Sequence, residues 1–216
     1  LEDAILRGLF ISFEGCDGVG KTTQARLLAS RLRALNHDVV LTREPGGTQV
    51  GLAIRQWLLD SSGQEPLTWE AEVLLLAADR AQHVNNVIKP ALERGAIVVS
   101  DRYVDSSLVY QGWAVDRPVD MVREINRFAT QGIVPDITFF LAVPPEECFG
   151  RLNEADKIEQ RGLTFQRKVY EGYRTLVREI PRLRSLNVAG ESAEAVAAQI
   201  WDDCLKHWPW LAQGAR

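Results

Sequence analysis

The chain has 216 residues, of which 46% are hydrophobic, enough apolar surface to bury a substantial core and to exclude disorder as its ground state. Its 25 Lys and Arg against 29 Asp and Glu leave a net charge of −4, which excludes a surface built to neutralise nucleic-acid phosphates or anionic lipid, so any anion must be met by a local site. Three scattered cysteines (Cys16, Cys148, Cys204) make neither a zinc cluster nor a disulfide framework, no window approaches the ~18 apolar residues of a membrane span, and no secretory pattern is present, so a cytoplasmic location is expected.

The first apolar run, residues 9–13, has strand length. It is followed by Gly15-Cys16-Asp17-Gly18-Val19-Gly20-Lys21-Thr22-Thr23, a G-x-x-x-x-G-K-[ST] match at the strand-to-helix junction that this pattern requires. Gly15, Gly18 and Gly20 let the backbone curl until its N–H groups converge, and the helix beginning near Lys21 adds its positive end to the same spot. A polyphosphate is the natural occupant. Lys21 should reach the β- and γ-phosphates as a mobile point charge, and the hydroxyl of Thr22, with Thr23 beside it, is placed for Mg²⁺. Asp17 reads as a substrate contact, because a carboxylate beside polyphosphate is unfavourable unless it meets a neutral donor or a metal-bound water. Cys16 reads as structural, since no partner base is visible.

A helix is predicted over 21–35 and a second strand over 39–41. The turn Arg43-Glu44-Pro45-Gly46-Gly47-Thr48 comes next, then helices over 49–59 and 69–93, the second carrying Asp79-Arg80. The third strand, 96–99, leads into Ser100-Asp101-Arg102-Tyr103, at the carboxyl end of a strand, where ligands of open α/β sheets bind. There Asp101 can hold Mg²⁺ through water and Arg102 can clamp a phosphate. Arg43 and Arg80 supply two more guanidinium groups, for which a phosphate or a buried acidic partner is the usual reason. A helix over 120–131, a strand over 137–143, a helix over 163–179, a strand over 186–188 and a helix over 192–207 complete the pattern.

Between them, the polar segment 153–162 carries Glu154, Asp156, Lys157, Glu159 and Arg161 with no apolar anchors, and reads as a flap. The alternation as a whole predicts a single α/β domain over 1–216, with a five-stranded parallel sheet flanked by crossover helices. His37 and His83 read as structural, having no metal-ligand company. Some of the six tryptophans suit an interface, though packing is their commoner use.

Several stretches together resemble thymidylate kinases. The family's E-G-x-D-G-x-G-K-T-T reads here as Glu14 to Thr23, R-E-P-G-G-T as Arg43 to Thr48, and A-A-D-R-A-Q-H as Ala77 to His83. D-R-Y with S-S and Y-Q-G reads as Asp101 to Tyr103, Ser106, Ser107 and Tyr110 to Gly112, and the likeness runs in the family's order from Phe10 to Tyr173. The resemblance implies a P-loop NTPase fold with a short lid, transfer of the γ-phosphoryl group of Mg-ATP to dTMP to give dTDP and ADP in dTTP synthesis, and a homodimer formed through helices. It places Asp17 at the 3′-hydroxyl of the deoxyribose with Tyr110 near the sugar. Arg80 and Arg102 would take the acceptor phosphate, with Arg43 and Pro45 lining the same pocket. Ser107 and Gln111 would face the thymine and its hydrogen-bonding edge, Thr22 and Asp101 would serve the metal, and Val188-Ala189-Gly190 would approach the adenine.

An oxygen of the acceptor phosphate, already ionised at neutral pH, is then the nucleophile, and catalysis reduces to alignment and charge neutralisation. Gly18 stands where some members have arginine, so the last cation is expected from the lid, from Arg151, Lys157 or Arg161, with Arg167 as a further candidate. Three departures from the family pattern are Lys157 in place of the lid arginine, Leu76 where a phenylalanine commonly stacks on thymine, and Ala142 where an aspartate is frequent. They keep two rivals open: a kinase for another deoxynucleoside monophosphate, and a weakly catalytic nucleotide-binding protein that regulates a partner.

Overall fold

The computed structural model describes residues 8–59, 65–148 and 161–213. Five strands, β1 (Leu9–Glu14), β2 (Val39–Arg43), β3 (Ile97–Asp101), β4 (Ile137–Ala142) and β5 (Leu183–Asn187), form a parallel sheet in the order β2-β3-β1-β4-β5. Every residue of β1 and β4 is buried, as expected of central parallel strands covered on both faces, whereas the edge strands β2 and β5 are partly exposed. The buried hydroxyls of β1 and β4 meet, Ser12 Oγ lying 2.7 Å from Thr138 Oγ1, which also accepts from Arg182 at 2.7 Å.

Side-chain alternation splits the core. Leu9, Ile11 and Phe13 pack with α1 (Lys21–Ala34) and with α8 (Gly162–Glu179) and α9 (Ala193–His207), while Phe10 packs on the opposite face with Val84, Ile88, Leu92 and Tyr103. The helices α2 (Gln49–Leu59) and α3 (Trp69–His83) pack together, and α3 packs on α6 (Val119–Thr130). The predicted helix over 69–93 is continuous in space but not in type. Thr68 caps α3 by accepting from the Ala71 N–H, a wide π turn follows over Val84–Ile88, and α4 (Lys89–Glu93) carries Pro90, which has no N–H to return.

Sequence reading missed the compact stretch after β3, where α5 (Val104–Ser107) runs into a π turn at Leu108–Gly112 and a 3₁₀ turn at Trp113–Val115, and also the short α7 (Pro145–Cys148). It placed the last strand three residues late, because Leu183–Asn187 is an edge strand with mixed composition and only Leu183 fully buried. Among the described residues no helix is long and apolar enough to cross a membrane, and no cluster of three or more His, Cys, Asp or Glu is arranged to hold a metal.

Candidate active site

The phosphate loop links the carboxyl end of β1 to α1. Gly15, Gly18 and Gly20 take φ of 143°, 77° and 98°, and a Cβ at Gly15 would stand 2.9 Å from the Leu141 carbonyl oxygen, so the loop has no room for a side chain there. No side chain caps α1, which leaves its first N–H groups for an anion. Lys21 is buried, and its Nζ donates to the carbonyls of Gly15 (3.1 Å) and Cys16 (2.6 Å). Burial, with the charge of Arg102, depresses its pKa. The Thr22 hydroxyl donates to Asp101 Oδ2.

Arg102 occupies the left-handed region at φ 70°, a conformation costing a non-glycine residue about 1 kcal/mol. Its surroundings over-determine it. The Arg102 N–H donates to the Phe13 carbonyl at 3.0 Å, and its own carbonyl accepts from Ser100 Oγ at 2.7 Å. The guanidinium lies over the Tyr110 ring at 5.0 Å and donates to Gly15 O, Ser106 Oγ and Asp17 Oδ1. Asp17 also accepts from Tyr110 Oη (3.3 Å) and Gln166 Nε2 (3.2 Å). Burial raises the Asp17 carboxyl, but the charges of Arg102 and Lys21 outweigh it and hold the pKa below the usual carboxylate range. Beneath lies Glu14, which sequence reasoning used only as part of a motif. It accepts from the N–H groups of Tyr103 (2.8 Å) and Ser106 (3.2 Å) and from the hydroxyls of Ser106 (2.5 Å) and Tyr173 (2.7 Å), fixing the turn that carries Arg102.

These groups open on a cavity of about 410 Å³ whose wall also includes Pro45, Leu76, Arg80, Ser107, Tyr110 and Gln111. Most of the residues expected to meet an acceptor are thus brought to one place. Two of the expected arginines have surroundings of their own. Arg80 is 2% exposed, and its guanidinium is spent on protein: Nε donates to Glu44 Oε2 (2.7 Å), and the terminal nitrogens donate to Ser107 Oγ (3.0 Å), Asn126 Oδ1 and the Tyr103 carbonyl (3.3 Å). Of the two usual reasons for such a guanidinium, the buried acidic partner is the one seen here.

Arg43 does not line this cavity. Thr42 and Glu44, two apart in extended chain, both turn toward His83, whose Nδ1 donates to Glu44 Oε1 (2.8 Å) and whose Nε2 lies 2.6 Å from Thr42 Oγ1, so Arg43 projects the other way. It is exposed and lines a second cavity of about 280 Å³ with Arg26, Thr22 and Asp101.

Glu44 itself was missed as a site residue. Burial raises its carboxyl, but Arg80 and the His83 bond outweigh that and leave the pKa lowered. Glu72 was missed too, although it lies four residues before Leu76 on the predicted helix, a spacing that shares a face. Its Oε1 accepts from Gln111 Nε2 and its Oε2 from Arg161, each at 2.8 Å. Arg161, nominated as a lid cation, is therefore tied to α3, with its guanidinium 5.0 Å from the Phe165 ring centre. Arg167 is paired at 2.6 Å with Glu146. Arg151 and Lys157, like most of the expected lid, lie outside the described residues. Gln24 Nε2 donates to Ala193 O at 2.9 Å, tying the start of α9, just after Val188-Ala189-Gly190, to α1.

Thr22 lines both cavities and Asp101 adjoins it, so the pair offers one hydroxyl and one carboxylate oxygen. Mg²⁺ keeps several waters and takes one or two protein oxygens together with phosphate oxygens, so this donor set fits it.

Comparison with known proteins agrees with the geometry. The Thymidylate kinase family model matches residues 13–200. A thymidylate kinase of a Synechococcus strain is 47% identical over 193 residues, covering 89% of this chain and 93% of its own. One of Bifidobacterium longum is 45% identical over 201 residues, covering 92% and 98%. The crystal structure of thymidylate kinase from Ehrlichia chaffeensis superposes with a TM-score of 0.75 at 31% identity, covering 91% of this chain and 97% of that one.

Proposed function

The chain belongs to the thymidylate kinase family, and from that premise we propose how its residues carry the family's reaction, the phosphorylation of dTMP by ATP in dTTP synthesis. The observation that carries the residue assignment is the convergence of Lys21, Asp17 and Arg102 with Ser107, Gln111 and Leu76 on one cavity.

The β- and γ-phosphates lie in the loop against the N-terminus of α1. Lys21 exchanges its two backbone carbonyls for phosphate oxygens, which are better partners for an ammonium. Arg102 takes the acceptor phosphate with the terminal nitrogens that now face Asp17 and Ser106, and Asp17 and Tyr110 turn to the sugar. Since the attacking oxygen is already ionised, no general base is required. The work is to hold two anions in line at ~3–3.5 Å against their repulsion. Thr22 and Asp101 would hold Mg²⁺, which when bound neutralises charge on the transferring phosphoryl group. Ser107 and Gln111 meet the base edge over Leu76, and Arg80 keeps Ser107 and the Glu44 turn in place.

A homodimer and a cytoplasmic location complete the reading. Leu74 on α3 and Met121 and Phe128 on α6 are exposed on two helices that pack together, Phe128 by 88%, which suits a helical interface and is checked by sedimentation. The functional test is ADP release from Mg-ATP with dTMP, dUMP, dGMP, dCMP or AMP offered separately, with Lys21→Ala as control. Turnover is expected with dTMP above all others and lost in the control. A preference for another monophosphate moves the acceptor, and no turnover with any overturns the catalytic reading in favour of a regulatory binder.

A further inference from the structure

Glu72 takes no part in the chemistry, yet it stands in the wall of the main cavity and holds two of its neighbours. Its carboxylate accepts from the Gln111 side-chain Nε2 through one oxygen and from Arg161 through the other, both at 2.8 Å. With each oxygen engaged, the carboxylate cannot rotate freely. The Gln111 backbone is fixed as well, its carbonyl accepting from Trp69 Nε1 at 2.7 Å.

A glutamine amide is nearly symmetric in shape but opposite in character at its two ends, one donating and the other accepting. A carboxylate only accepts, so the amide nitrogen must face Glu72. The Gln111 side-chain oxygen, Oε1, then has no donor among the described residues and is the end left for a ligand in the cavity that Gln111 lines.

We propose that Glu72 is a positioning residue for acceptor choice: it pins the Gln111 amide so that the cavity presents an acceptor, which selects a pyrimidine with a ring N–H. Thymine and uracil carry that N–H at N3. Cytosine has a bare N3 lone pair, which would oppose the Gln111 oxygen and leave both unpaired, a mismatch of the kind that sites built on hydrogen bonds reject strongly. Arg161 contributes from the edge of the expected lid by holding the second carboxylate oxygen. This assignment rests on the reading of the cavity as a dTMP site.

The test is kcat/KM for dTMP, dUMP and dCMP with wild type, Glu72→Gln, Gln111→Leu and the double variant. An amide at position 72 donates or accepts, so Gln111 is free to invert. The dTMP-to-dCMP ratio is expected to fall roughly tenfold or more in E72Q. The dTMP-to-dUMP ratio should hold, since both bases carry the N3 proton. A general loss of order would lower all three substrates together, and taking ratios within one preparation cancels any loss of folded protein. In the Q111L background, E72Q should move the dTMP-to-dCMP ratio no further.

An unchanged ratio in E72Q, or an equal fall with and without Gln111, overturns the assignment while leaving the function intact. Wild-type protein that fails to turn over dTMP overturns the functional reading, and this assignment with it.

Discussion

Replacing Glu44 by alanine probes the wall of the cavity most directly. Glu44 is 3% exposed and Arg80 2%, and the carboxylate also holds the fully buried His83. The substitution leaves a guanidinium in the protein interior with neutral acceptors only, and breaking a buried pair from one side costs about 3–5 kcal/mol. For a chain of this size that corresponds to a fall in Tm of about 6–20 °C by scanning calorimetry, and to a matching shift in a urea midpoint at constant m. Glu44→Gln in combination with Arg80→Met, which removes both charges and keeps the volume, should recover a large part of the loss.

The pH dependence follows from the lowered Glu44 pKa. A carboxyl held below its unfolded value of about 4.5 contributes stability that is fully present above that pH and is lost as the pH falls through the folded value. The gap between wild type and Glu44→Gln should therefore be constant near neutrality and close below about pH 4.5. A cost under about 1 kcal/mol for Glu44→Ala, or a gap that widens in acid, would refute the claim that this pair is buried and charged.

Other residues make separate demands. Arg102→Lys keeps the charge but loses the fork that reaches Gly15, Ser106 and Asp17. Steady-state kinetics should show kcat/KM for dTMP down roughly tenfold to a hundredfold, with the KM for ATP much less affected. Gly47→Ala would place a Cβ 2.5 Å from the His83 ring, so thermal unfolding should register a loss of about 1–3 kcal/mol, the usual cost of overpacking. Leu76→Phe puts an aromatic face back in the cavity wall, and its stacking contribution of about 0.5–1.5 kcal/mol should appear as a KM for dTMP roughly two- to tenfold lower at similar kcat.

The parts of this molecule that sequence made legible share one property: a local pattern suffices to define them. The phosphate loop is contiguous, its glycines sit at positive φ, and its flanking strand and helix follow from the period of the apolar residues. The same holds for the strand ends that bring Asp101 and Arg102 to the site, and for five parallel strands alternating with helices. Partnership is a different matter. Arg80 and Arg43 look alike in the sequence, each a guanidinium near a motif, and each has a phosphate or a buried acid as its natural reason to be there. What separates them is Glu44, 36 residues before Arg80, whose side chain turns under the sheet edge with Thr42 and so commits Arg80 to the wall while sending Arg43 to the other face. The same limit hid Glu72, an ordinary acidic residue in a helical stretch until Gln111, 39 positions on, is seen to depend on it. A charged residue's role in this fold is thus set less by its own identity than by which opposite group the chain returns to it, and that is a property of the sheet order β2-β3-β1-β4-β5 rather than of any segment read alone.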